Sequence, residues 1–332
     1  MLTLRSHPEN VFVCDMRVGK KKVPVWWHPK KNVELQNRVE DLSVFFTPEL
    51  RDRFELSREQ ADDIMSHLKS DTVSEKNQSK FFKVKKFIQE GLYTSMDISD
   101  TPNSFEINFP PGNDTWGNNT VCCGATNSGK TWWVKEKCLR NLNGPKRDRR
   151  RIMWFSSEFD DDTSLKELKK DKYREWFSGK EISDQAVKDS DHNSSEDFFK
   201  YEVEMKWDNA PPGTCAIFDD PVDAAEGLQV PIRNLINRAL RVSRHKKTCV
   251  CFVLHRIRSG AWSVQGTNSA KYFTLFPRSQ KGKCVQFLNQ DMGLTLGESR
   301  RMVADFGATG RPMTVQLFAP NCLIGPKLLR LI

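Results

Sequence analysis

Residues 122–133 read CCGATNSGKTWW, and this stretch decides the fold. Gly124, Ala125, Thr126, Asn127, Ser128, Gly129, Lys130 and Thr131 fill G-x-x-x-x-G-K-[ST] at every fixed position. Glycines there let the backbone turn its N–H groups onto phosphate oxygens, and a following helix presents its positive end to the same anion. The apolar run NNTVCCG (118–124) leads into the loop as a buried strand, and TWWVKEKCLRNL (131–142) leaves it as a helix ending near Gly144-Pro145. In that context Lys130 is expected on the β- and γ-phosphates of ATP and the Thr131 hydroxyl on Mg²⁺. A turn that merely joined strand to helix would not require the Lys-Thr pair. Trp132 and Trp133 fall in the first helical turn. Both are expected to pack, one on the sheet and one toward a flanking segment; stacking on a base is the alternative.

A P-loop needs an acid opposite it. TCAIFDD (214–220) is an apolar strand ending in two carboxylates. Asp219 is expected to hold Mg²⁺ through water and Asp220 to polarise the attacking water. CVCFVLH (249–255) is a further strand, with His255 at its carboxyl end, where ligands of parallel sheets lie. His255 is therefore read as a sensor of the γ-phosphate or the water. Before that strand a basic helix carries Arg238, Arg241 and Arg244. They either form a basic surface facing solvent or DNA, or supply an arginine finger to a neighbouring subunit's site, with Arg241 or Arg244 preferred and Arg278 a further choice.

RRIMWFSS (150–157), KYFTLFP (271–277) and TVQLFAP (314–320) are also strands, and SFEINFPPG (104–112) a short one. Strands alternating with helices predict an α/β fold with a mostly parallel sheet flanked by helices. Residues 178–198, SGKEISDQAVKDSDHNSSEDF, read as a solvent-exposed polar insertion. Residues 1–104 read as a small mixed α/β accessory region ahead of a P-loop domain at 105–332. It comprises a hairpin in 10–29 around Gly19, a helix from Ser57 to Leu68, a polar loop over 69–80 and a basic amphipathic helix in 80–96. Phe81, Phe82, Val84, Phe87 and Ile88 share one side of that last helix, which is expected to pack rather than bind nucleic acid.

Composition narrows the class. The 332 residues contain no apolar run long enough for a membrane anchor and no secretory leader pattern. Nine cysteines include no C-x-x-C, and the six histidines do not gather with them, so buried reduced thiols are expected rather than zinc or disulfides. The net charge of +9 favours polyanionic partners.

The order GATNSGKT, AIFDD, SRHKKTCVCFVLHR, NSAKYFTLFPR resembles the viral genome-packaging ATPases of the FtsK/HerA superfamily, in the branch shared by poxviruses, virophages and Polinton-like elements. That resemblance spans about residues 105–332. It implies a P-loop NTPase of RecA/FtsK-like type that hydrolyses ATP with Mg²⁺ to drive double-stranded DNA into a capsid. It also implies a pentameric or hexameric homo-oligomeric ring at a capsid or portal vertex, acting in the virion or at an intracellular assembly site and not secreted. The roles carry over to Lys130, Thr131, Asp219 and Asp220. His255 stands where Gln is commoner in this branch, and residues 1–104 match nothing in it. Two rivals remain. A superfamily-3-type viral helicase also ends its metal strand in Asp-Asp, but His7, His28 and His67 are too scattered for the nicking motif such proteins carry. A nucleotide-dependent assembly protein without turnover is the other.

Overall fold

A computed structural model describes residues 2–4, 6, 8–28, 43, 46, 48–70, 77–91, 95–98, 100–107, 119–257, 270–308, 312–318 and 320–332. Half of the expected loop over 69–80 (residues 71–76), the end of the strand expected at 104–112, and His7, Asn268 and Ser269 lie outside them; the described half of that loop lies in or beside the helices Arg58–Ser70 and Gln78–Gly91. The chain divides into two compact units, residues 1–107 with 318–332, and residues 108–317.

The first unit holds an antiparallel sheet in the order β1 (Leu2–Thr3), β3 (Lys21–Trp27), β2 (Val11–Val18), β5 (Ser104–Glu106). The hairpin β2–β3 turns at Gly19, where φ is +59°. The helix Arg58–Ser70 starts in a capping box: Gln60 N donates to Ser57 Oγ and Ser57 N donates to Gln60 Oε1. The helix Gln78–Gly91 buries Phe81, Val84 and Ile88, with His67 edge-on to Phe81, while Phe82 stays exposed. Strand β4 (Ser95–Asp97) pairs with β14 (Leu328–Leu331), and β14 with β13 (Cys322–Ile324), all antiparallel.

Two boundaries therefore differ from the expected division. Residues 318–332 group with the first unit because β14 pairs with β4 and Lys327 Nζ donates to the carbonyls of Thr101 and Asn103. The strand at 104–106 belongs to the antiparallel sheet, because it pairs with Asp15–Arg17 of β2.

The second unit is built on β6 (Thr120–Cys123), β7 (Arg151–Ser156), β8 (Phe177–Glu181), β9 (Thr214–Asp219), β10 (Cys249–Leu254), β11 (Tyr272–Leu275) and β12 (Met313–Gln316). Their order is β12-β11-β6-β10-β9-β7-β8, with only the β11–β12 pairing antiparallel. Strands β6, β9 and β10 are buried along their whole length, which is why they read as unbroken apolar runs rather than alternating ones. The helix Lys130–Leu142 turns Val134, Cys138 and Leu142, spaced by four, into the interior. The helix Glu226–Lys246 buries Leu228, Ile232, Leu235, Ile236, Ala239 and Leu240. Phe155 stacks on Phe218 across β7 and β9, with ring centroids 5.2 Å apart. All nine cysteines are buried free thiols, and burial pushes Cys122, Cys138, Cys215 and Cys251 well above the usual thiol range.

The polar stretch 178–198 is built into the fold rather than hung from it. It opens inside edge strand β8, which pairs in parallel with β7, and its Ile182 and Phe198 are fully buried. Ile182 O also accepts a hydrogen bond from Ala225 N ahead of the helix Glu226–Lys246.

Candidate nucleotide site

Three neighbouring strands deliver the site. β10 lies between β6 and β9, with Leu254 beside Cys123 and Val253 beside Asp219. The P-loop leaves the tip of β6, the Asp219-Asp220 pair leaves β9, and His255 leaves the strand between them. Backbone bonds tie the tips together: Gly124 N donates to Leu254 O and Asp220 N to Val253 O.

The loop itself requires its glycines. A Cβ on Gly124 would stand 2.4 Å from Ser128 Oγ and 2.9 Å from Phe276 Cδ2. Gly129 has φ +91°, the left-handed region, and caps the helix that begins at Lys130. Asn127 also sits at positive φ, a conformation asparagine tolerates better than most residues.

Lys130 is 5% exposed. Its Nζ lies 3.3 Å from Ala125 O and 3.2 Å from His255 Nδ1. An ammonium only donates, so His255 Nδ1 accepts and the ring proton sits on Nε2. That proton points to Asp220 Oδ2 at 2.9 Å. Lys130, His255 and Asp220 thus form one hydrogen-bonded chain, with Thr126 Oγ1 3.4 Å from the same Nδ1. Gln280 Nε2 donates to His255 O at 2.8 Å and fixes the ring's backbone.

Asp219 is 3% exposed and receives a hydrogen bond from Thr131. Burial, reinforced by the neighbouring charge of Asp220, pushes its carboxyl up to about 7. Asp220 is raised as well, by burial above all, although Lys130 and His255 pull it back. Asp220 adopts left-handed backbone, φ +46°, in the turn before Pro221. Asp219 Oδ1 and Asp220 Oδ1 are buried with no hydrogen-bond partner among the described residues. Two such oxygens beside a threonine hydroxyl fit a hard divalent cation, which prefers oxygen ligands. Mg²⁺ is compatible with this donor set.

The predicted residues fall into two groups. Gly124 to Thr131, Asp219, Asp220 and His255 come together. Arg241 and Arg244 do not join them within one chain. They lie on the last turns of a helix that ends at Lys246, just ahead of the start of β10. Six strand residues separate that start from the tip, roughly 20 Å at ~3.3 Å per residue. Arg238 is held by Glu204 and Asp208. Arg278 is exposed, three residues past the tip of β11 and so on the P-loop side of the sheet. Trp133 packs as expected at 9% exposure, but Trp132 is 58% exposed, so its expected packing is not found.

Sequence reading missed Gln280, which no motif marks. It also missed Glu158, two residues past the tip of β7 and close enough to raise the Asp220 carboxyl. A carboxylate just beyond an apolar strand was the available signal there.

No protein-family model matches the chain, and no curated protein matches it. Solved structures do. The genome-packaging NTPase B204 of Sulfolobus turreted icosahedral virus 2, with ATPγS, matches at 13% identity over 63% of this chain and 97% of that one, TM-score 0.37. The conjugation coupling protein TcpA of pCW3 matches at 14% identity over 63% and 60%, TM-score 0.40. The cytoplasmic domain of the type VII secretion ATPase EccC of Thermomonospora curvata matches at 14% identity over 70% and 28%, TM-score 0.37. These are likenesses of fold. The second unit is an α/β fold, with a mostly parallel central sheet flanked by helices.

Proposed function

We propose that the protein is an ATPase that couples hydrolysis to movement of double-stranded DNA, working as a homo-oligomeric ring in viral genome packaging. The observation that carries the nucleotide part is the chain Lys130–His255–Asp220 beside the unpartnered Asp219 oxygen. The DNA and packaging parts draw on the motif order and on the net charge of +9.

In this reading Thr131 and Asp219 hold Mg²⁺, which when bound screens the phosphate charges. Among the described residues, Lys130 Nζ bonds to a carbonyl and an imidazole. A γ-phosphate is a stronger, charged acceptor and draws the ammonium to itself. His255 then loses one partner and keeps Asp220, so the presence of the γ-phosphate reaches the carboxylate through one ring. Asp220 takes a proton from water as the water oxygen bonds to the γ-phosphorus and the bond to ADP breaks. Its raised pKa makes it a stronger base than an ordinary carboxylate. Arg241 or Arg244, far from their own chain's P-loop, suit a finger supplied to the next subunit's site, at a pentameric or hexameric ring on a capsid or portal vertex. Trp132, exposed in the first turn after Thr131, is free to face the base.

Phosphate release with and without duplex DNA tests the proposal. Stimulation by DNA in the wild type, and loss of turnover in Lys130→Ala, are expected. Turnover indifferent to DNA would remove the motor while leaving the nucleotide site.

A further inference from the structure

In the second unit exposed carboxylates gather past the tips of β7, β8 and β9, whereas Arg256 and Arg278 are exposed past the tips of β10 and β11. The carboxylates are Glu158, Asp160 and Asp161 after β7, Asp184 after β8, and Asp223 and Glu226 after β9. Segments that enter the strand starts carry exposed cations: Lys146, Arg147 and Arg151 at β7, Arg174 ahead of β8, and Arg244 and Lys247 ahead of β10. The parallel register brings these entries to one side. Arg151 lies beside Thr214 and Cys215 beside Cys249. Ile152 N donates to Trp176 O and Gly213 N to Lys247 O.

Acids on this side are largely engaged. Asp208 accepts from Arg238 and Lys246, and Glu202 from Lys180 and Lys206. Arg147 reaches Asp148 at 3.8 Å, and Asp171 and Glu175 are further exposed acids. Arg151, Arg174, Arg244 and Lys247 make no ion pair among the described residues. A cavity of about 370 Å³ opens here, with Arg151, Arg174 and Trp176 in its lining.

We infer that this strand-start side is a docking surface for the phosphate backbone of duplex nucleic acid. The inference rests on the translocase reading above and adds where the polyanion sits. The cations enter across β8, β7, β9 and β10, three strand spacings or roughly 14 Å. That is too wide for one small anion and comparable with a duplex major groove of about 12 Å. Single strands are gripped by exposed aromatic rings set among the cations. Here Trp176 is half-buried and Trp207 fully buried, so the surface offers charge without stacking. Such a surface holds phosphates without reading bases, as a translocating motor requires.

The test compares the full-length wild type with Arg147→Ala/Arg151→Ala/Arg174→Ala and with the corresponding triple lysine variant. Binding to a fluorescent duplex of arbitrary sequence is measured across a salt series. ATP turnover without DNA is read alongside, as the control for fold and site. Each phosphate neutralised contributes about 0.9 to the slope of log K against log salt. The alanine variant should lose roughly 2 to 3 from that slope and bind at least about 10-fold more weakly, with unchanged turnover. The lysine variant should keep the slope. A wild-type slope in the alanine variant overturns this surface and leaves the translocase reading standing. Altered self-association with an unchanged slope overturns it in favour of contact with a second copy. A wild type that hydrolyses ATP but binds no duplex overturns both.

Discussion

The two ends of the central strands treat buried polar groups in opposite ways. At the starts, Asn119 is nearly inaccessible and well bonded: Nδ2 donates to Leu240 O and Ser243 Oγ, and Oδ1 accepts from Val250 N. It joins β6, the helix Glu226–Lys246 and β10; the Thr120 hydroxyl and Trp207 Nε1 are exceptions at this end among the described residues. At the tips, Asp219 Oδ1, Asp220 Oδ1, Ser128 Oγ and Gln280 Oε1 are buried without partners among the described residues. Burying a polar atom without a hydrogen bond costs about 1–3 kcal/mol. A fold that satisfies one end and leaves the other open concentrates that cost where a ligand relieves it. Buried polar groups thus mark structure at one end and binding at the other, and substitutions at the two ends should separate stability from activity.

The largest expected effect is at the tips. Lys130→Ala removes the cation that meets the phosphates, and steady-state phosphate release should fall roughly 10²–10³-fold, as for loss of a preorganised donor. Its melting temperature should change far less than its rate. A variant that keeps turnover would break the assignment of this end as the binding end. Asn119→Ala attacks the other end. It strands two acceptors and one donor of the core, and should cost about 2–4 kcal/mol by urea unfolding. Nucleotide affinity at temperatures where the variant stays folded should be unchanged. An affinity loss without a stability loss would show the two ends to be less distinct than the bonding suggests.

Asp219→Asn should move stability and activity in opposite directions. The folded-state pKa of Asp219, about 7, lies above its unfolded value of about 3.8. The folded protein therefore holds this proton longer than the unfolded chain. Below pH 4 the group costs nothing; as pH rises from about 4 to 7, its ionisation destabilises the fold increasingly. Without metal, the asparagine variant should exceed the wild type by about 1–3 kcal/mol at pH 8 and match it near pH 4. Added Mg²⁺ should narrow the gap by stabilising the wild type alone, and turnover in the variant should be lost. A gap that stays flat across pH would mean that burial is not what raises this carboxyl.

The part of this contrast readable in the sequence is the part carried by neighbours in the chain. Gly124 to Thr131, the apolar run into Asp219-Asp220 and the run into His255 are each local, and each strand was found where its apolar residues predict it. The contact of His255 with both Lys130 and Asp220 is not local. It depends on β10 inserting between β6 and β9, which no spacing in the chain records. Gln280 reaches His255 from 25 residues away for the same reason. Edge strand β8 escaped because FSGKE buries Phe177 and exposes the next two residues, so it carries no apolar run. The pairing of β14 with β4 joins residues more than 200 positions apart, and only the folded chain reveals it. Segments that look alike in composition, such as the two tryptophans, also part company in the fold.

Trp132 gives the smallest effect and the sharpest division within the binding end. Among the described tryptophans it is the exposed one, while its neighbour Trp133 is buried under Lys137. Helical side chains lean toward the helix N-terminus, which here is the P-loop end. Stacking a base on such a ring contributes about 1–3 kcal/mol. Trp132→Ala should therefore weaken ATP binding by about 10-fold, whereas binding of inorganic tripolyphosphate, which has no base, should not change. Trp132→Phe should recover most of the ATP affinity. Lys130→Ala, by contrast, should weaken both ligands. If Trp132→Ala leaves ATP and tripolyphosphate equally unaffected, the ring has no part in the nucleotide site, and its exposure calls for a partner surface instead.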